Sequence, residues 1–171
     1  MRDENDGRGA DEGETSSPVC YANDADEVYM GYASRDEVLA FLNELLEAER
    51  AGARVTLETS RQAAEPAVQA MAASIHRDEA HWCSVLLNAV RHMGGEPSER
   101  TGAFHEKAMA IADVRARLAF LNRGQAWVVR KLKEMLPKIL DEALYRELDQ
   151  MLVSHERNIE RLANSGLTES K

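Results

Sequence analysis

Cysteine is nearly absent from this chain. The two residues, Cys20 and Cys83 in 171, are too few for a disulfide framework, so packing must hold the fold and a cytoplasmic location is expected. Aromatic residues are scarce at 5%, which disfavours a sheet-built core, where aromatic and β-branched side chains dominate. No run of about 18 apolar residues occurs, so no membrane-spanning helix and no membrane partner are expected. Basic residues are outnumbered, 21 Lys and Arg against 30 Asp and Glu. With no basic stripe, nucleic acid is not an expected partner. The chain also lacks a glycine-rich phosphate loop, a Ser/His/Asp set and a CxxC pair. Its first residues are acidic and polar, unlike a signal or transit peptide.

What is present favours helices. Apolar residues make up 44% of the chain, with Ala, Leu, Glu and Arg plentiful, a mixture suited to helix packing. The length fits one domain with a sizeable core. Charge is uneven: residues 1–28 hold nine acids against Arg2 and Arg8, a net −7 of the total −9, which leaves −2 for the remainder. Residues 1–28 are therefore read as a disordered acidic tail, and 29–171 as the folded body.

Four long helices are expected in that body. The first begins after Ser34, which with Glu37 forms a capping box. Its apolar stripe runs through Val38, Leu42 and Leu45/Leu46 to Glu49, then Gly52/Ala53 and Thr56. The second starts near Pro66, a residue suited to a first helical position. Its stripe is read as Val68, Met71, Ile75, Asp78, His81/Trp82, Val85 and Ala89, ending at Gly94-Gly95 with Pro97 beyond. The third opens at Asp113, a good N-cap, with stripe Leu118, Leu121, Gln125, Val128 and Leu132, and Pro137 stops or kinks it. The fourth runs from about Asp141 through Leu148, Met151/Leu152, His155, Ile159 and Leu162 towards Gly166. A short helix is expected around Phe104 to Ile111. Each long helix spans about 35–42 Å at 1.5 Å per residue. The connections are short, long and short, which implies two antiparallel hairpins joined by a crossover, with a simple up-down-up-down bundle as the competing topology.

Each stripe carries one interruption near its middle: Glu49, the Asp78/His81 pair, Gln125 and His155. Mid-helix positions of an antiparallel bundle lie at one level, so these side chains should meet in the core. Buried polar groups are costly unless paired or metal-bound. Residues three apart share a helix face, so Asp78 and His81 would offer a carboxylate and an imidazole together.

This constellation resembles the ferritin-like superfamily, whose usual pattern is Glu on the first helix, Glu-x-x-His on the second, Glu on the third and Glu-x-x-His on the fourth. Glu49, Asp78 with His81, and His155 match by stripe position. Gln125 stands in the third helix's Glu position, and Leu152 stands three residues before His155. The segments from Asp78 to Cys83 and from Leu121 to Leu132 also resemble an uncharacterised bacterial ferritin-like family, over roughly residues 35–165. The resemblance implies an all-α, ferritin-like antiparallel four-helix bundle with one long crossover between the second and third long helices. It gives no established reaction; oxidoreductase-type chemistry on an unidentified small-molecule substrate is the expectation for a metal-bound form, and a homodimer is expected. Two carboxylates balance one divalent ion and leave two ions half-neutralised. The expected centre is therefore a single Fe, Mn or Zn held by Glu49, Asp78, His81 and His155, with Gln125 bonding a bound water. The alternative is a metal-free polar core that fixes helix register, in a module acting through its surface as an interaction or structural protein.

The remaining polar residues read more plainly. Glu79 and Glu156 sit about 100° away from their neighbouring histidines and are expected on solvated faces or behind the ligands rather than as ligands. His76, His92 and His105 read as surface or helix-end residues. Cys83, Trp82 and Trp127 read as packing residues. Arg123, Arg130 and Lys131 are candidates for surface pairs with Glu44 and Glu47.

Overall fold

A computed structural model describes residues 30–168. Those residues are all-α, with no strand among them: α1 (Arg35–Gln62), α2 (Pro66–His92), α3 (Phe104–Met109), α4 (Val114–Met135) and α5 (Glu142–Asn164), with a 3-10 turn at Leu136–Lys138. No described helix is long and apolar enough to cross a membrane. The acidic segment 1–28 lies outside the described residues.

Local chemistry sets the helix ends. Ser34 Oγ accepts from the Glu37 amide at 3.3 Å, and the Glu37 carboxylate accepts from the Ser34 amide at 2.8 Å, so two otherwise unpaired N–H groups are satisfied at the start of α1. Asp113 accepts from Ala116 N and Asp141 from Leu144 N, both at 2.7 Å, capping α4 and α5. Pro66 opens α2. Gly94, at φ +70°, ends it by letting the Gly95 amide turn back to Val90 O at 2.9 Å, a conformation that favours glycine. Pro137 converts the end of α4 into the 3-10 turn.

Residues 63–65 alone join α1 to α2, which forces the two helices to pack antiparallel. In the same way α4 packs along α5. Helix α1 also lies against α4 and α2 against α5, while short α3, on the long connection, rests on α1 and α4.

The apolar interior divides into two clusters. One holds Leu42, Leu45, Leu86, Leu132 and Leu148; the other holds Val55, Ile75, Leu118, Leu121 and Leu162. Between them fall buried polar residues from every long helix: Glu49, Glu79, Gln125, and His155 with Asn158. The fold thus sandwiches a polar layer between two hydrophobic ones. At about 25 cal/mol per Å2 of buried apolar surface, the flanking layers supply the free energy that confines costly polar groups there.

Candidate metal centre

Glu49 lies on α1 one turn beyond Leu45 and Leu46 and is fully buried. Its Oε1 stands 3.0 Å from His155 Nε2, and its Oε2 meets no protein hydrogen-bond partner. His155, on α5, is 2% exposed. Its Nδ1 lies 3.0 Å from the Met151 carbonyl oxygen one turn earlier. A carbonyl only accepts, so Nδ1 carries a proton, and the ring is oriented with Nε2 towards Glu49. Metal-bound histidines are commonly anchored in this way through the nitrogen that does not face the metal.

The third member of the cluster is Glu79 of α2, 4% exposed. One ligand atom from each of Glu49, Glu79 and His155 lies within 4.8 Å of the others. Gly52, one turn along α1 from Glu49, makes the room for it. A β-carbon there would collide with Glu79 Oε2 and stand 2.6 Å from its carboxyl carbon. Gln125 of α4 completes the layer at 3% exposure, and neither of its amide atoms meets a protein hydrogen-bond partner.

This arrangement corrects the sequence reading of α2. The buried face runs Val68, Ala72, Ile75, Glu79, Trp82, Leu86, Val90, one residue on from the expected stripe at most turns. His81 is exposed and lies edge-on to Trp82, with ring centroids 4.7 Å apart. Asp78 is only half-buried and accepts from Asn158 Nδ2 at 3.0 Å. The structure therefore brings Glu49, Gln125 and His155 together as expected, leaves Asp78 at the edge and puts His81 outside. Glu79, expected on a solvated face or behind the ligands, is inside the cluster. The physical reason is burial: the observed rotation of α2 covers Leu86 and Val90 along with Trp82, whereas the expected one would cover the smaller Val85 and Ala89 and the polar His81 beside the tryptophan. On α5 the buried residue after His155 is Asn158, with Ile159 only partly covered. Two histidines read as surface groups have partners. His105 pairs with Glu58 at 2.8 Å, and His76 Nδ1 lies 2.9 Å from Ala53 O. Lys131 pairs with Glu44 at 3.1 Å, the surface pair expected of it.

Electrostatics follow from the packing. Burial, then the charges of Glu49 and Asp78 and a hydrogen bond with Glu49, push the Glu79 carboxyl well above the usual carboxylate range. For His155, burial pulls the pKa down, but the Glu49 charge and hydrogen bond, the Met151 carbonyl and the Asp78 charge together hold it above its ordinary value. Without a metal, both shifts favour the protonated forms of Glu79 and His155. Cys83 is inert as a nucleophile: burial first, then the Glu49 and Glu79 charges, push its thiol up to about 12.

A cavity of about 440 Å3 reaches this layer from the α1–α4 side. Glu49, Glu79, Gln125 and His155 line its inner end, and exposed Glu44, Gly102, Ala103 and Arg123 its rim.

Fold and site define an all-helical protein with a buried carboxylate–imidazole cluster at the end of a small-molecule-sized cavity. The chain belongs to the family described as "Domain of unknown function (DUF6306)", whose model matches residues 36–164. No curated protein and no solved structure matches the chain significantly.

Proposed function

We propose that this is a ferritin-like protein holding one divalent metal ion, Fe, Mn or Zn, through Glu49, Glu79 and His155, with Gln125 beside the ion. The observation that carries the reading is the Glu49 carboxylate. It is fully buried, with one oxygen on His155, and it shares the layer with a second buried carboxyl, Glu79, whose ionisation its charge opposes. Two buried acids side by side are costly unless a proton or a cation serves them both, and a divalent ion fills that role.

The donor set fits one ion. Two carboxylates and a neutral imidazole are ligands for Fe, Mn or Zn, and their two negative charges balance one divalent ion. A metal replaces two protons, one on Glu79 and one on His155 Nε2, so the net charge of the buried layer does not change. A second ion would lack carboxylates. Asp78, bonded to Asn158 at the layer's edge, is placed to influence the field rather than to ligate. When bound, the ion would supply a Lewis acid or redox centre, in keeping with oxidoreductase-type activity. The chain's own residues orient the imidazole, exclude bulk water and hold protons on Glu79 and His155 in the metal's absence.

Elemental analysis of protein expressed with ample iron, manganese and zinc tests this. About one ion per chain is expected in the wild type, with strong loss in Glu49→Gln, Glu79→Gln and His155→Ala but not in His81→Ala. Metal content well below one that these substitutions leave unchanged would overturn the reading in favour of a metal-free polar core.

A further inference from the structure

The cavity leading to the buried layer has features that the metal does not use. Its walls are apolar and partly aromatic, with Phe104, Phe120, Trp127, Leu121 and Val128 all lining it. Phe104 and Phe120 stack at a centroid distance of 4.9 Å and an interplanar angle of 19°. The volume of about 440 Å3 lies in the range of small-molecule sites, roughly 300–1,000 Å3.

Two acids at the rim have ionic partners, while Arg123 rests on an aromatic ring. Glu44 is paired with Lys131 at 3.1 Å, and Lys131 also stands over the Trp127 ring. Glu47 accepts from Ser98 Oγ at 2.5 Å and from Arg100 Nε at 3.1 Å. Arg123 lies over the Phe120 ring, 5.2 Å from its centroid. At the inner end Glu49 is paired with His155. The lining side chain with both a donor and an acceptor left over is Gln125, 3% exposed, whose Nε2 and Oε1 both lack a protein partner. A buried amide left in this state is costly. It is satisfied by a group that presents an acceptor and a donor side by side.

We propose that the cavity binds a small neutral molecule with a flat apolar body and a carboxamide-type edge, the body lying between the aromatic walls and the edge paired with the Gln125 amide. Neutrality follows from the apolar walls, which penalise the desolvation of a charged ligand. The carboxamide follows from the two hydrogen bonds that one amide edge makes with another. The inference concerns the cavity and does not require that the inner cluster hold a metal.

Isothermal titration calorimetry on the full chain, both chelator-treated and zinc-loaded, tests it with benzamide as the probe and toluene, benzoate and benzylamine as comparators. Benzamide is expected to bind in both preparations, at least about tenfold more tightly than any comparator. Gln125→Leu should weaken benzamide about tenfold, the effect of losing hydrogen bonds of ordinary strength, and leave toluene unchanged. Gln125→Met, close in shape to glutamine, carries the same test should the leucine variant fail to fold. The proposal is overturned if benzamide does not bind, if either folded variant binds it as the wild type does, or if benzoate or benzylamine binds as tightly. Failure of the metal reading would show as absent metal in the elemental analysis, with benzamide still binding the chelated chain.

Discussion

Gly52 and Glu79 compete for one space. The carboxyl group of Glu79 occupies the position beside α1 that any β-carbon at residue 52 would invade, 2.6 Å from its carboxyl carbon. A glycine in mid-helix costs about 1 kcal/mol relative to alanine, and here it admits a buried acid to the centre of the molecule.

The first prediction concerns that pair. Gly52→Ala gains about 1 kcal/mol of helix propensity but forces Glu79 from its seat, an overpacking cost of about 1–3 kcal/mol. A net loss of stability is expected in urea denaturation. Adding Glu79→Ala should remove the clash, so the double variant should be more stable than the sum of the single changes implies. Strict additivity would mean the two residues do not share the space.

A second prediction separates the buried histidine from the exposed one. His155→Ala leaves Glu49 buried without its partner and should cost about 3–5 kcal/mol in the metal-free protein. His81→Ala removes an exposed ring and should fall within about 0.5 kcal/mol of wild type. Equal effects in denaturation would contradict the rotation of α2 described above.

The pH dependence of the metal-free protein provides a third. Both Glu79 and His155 have folded-state values raised above their ordinary 4.5 and 6.5. A group with a raised value binds its proton more tightly when folded. Its stabilising contribution is complete below the ordinary value and is lost as pH rises through the raised one. For Glu79 that loss begins above 4.5, and for His155 above 6.5. Thermal unfolding of chelated protein should therefore weaken on the alkaline side. Glu79→Gln, which cannot ionise, should show a shallower decline. A wild-type melting temperature flat from acid to alkaline pH would contradict the assignment.

Metal binding should release protons, a fourth prediction. The ion displaces one from Glu79 and one from His155, so about two protons should be released per ion at a pH where both are held. Calorimetry in buffers of differing ionisation enthalpy measures that number. Binding without proton release would mean the ion sits elsewhere.

A fifth prediction tests how α3 is seated. A β-carbon on Gly124 would stand 2.7 Å from the Phe104 ring. Gly124→Ala should displace that ring from the cavity wall and destabilise the protein by about 1–3 kcal/mol less the gain in helix propensity. Adding Phe104→Ala should abolish the clash and enlarge the cavity, which a second round of benzamide titration would detect.

Much of the architecture could be read from local pattern. Ser34 with Glu37, Pro66, Asp113 and Asp141 mark helix starts by chemistry confined to a few neighbouring residues. Glu49, Gln125 and His155 were legible because each interrupts a stripe whose alternatives are charged or small. Helix α2 was not, because its apolar residues come in adjacent pairs: Met71 with Ala72, Val85 with Leu86, Ala89 with Val90. Either of two rotations satisfies that pattern, and the spacing of Asp78 and His81 favoured the wrong one. Asn158 was hidden by Ile159 for the same reason. Gly52 beside Glu49 signalled space on α1, but only the structure shows that Glu79 fills it.

By itself, then, the chain's order of residues determined where helices begin and end and which faces of α1 and α4 turn inward, because caps, breakers and unambiguous stripes act over one or two turns. Only the packed structure decided the rotation of α2, since burying Leu86 and Val90 is worth more than burying Val85, Ala89 and His81, a comparison that exists only when the other helices are in place. That rotation put Glu79 opposite Gly52, beside Glu49 and His155, and so chose the members of the buried cluster.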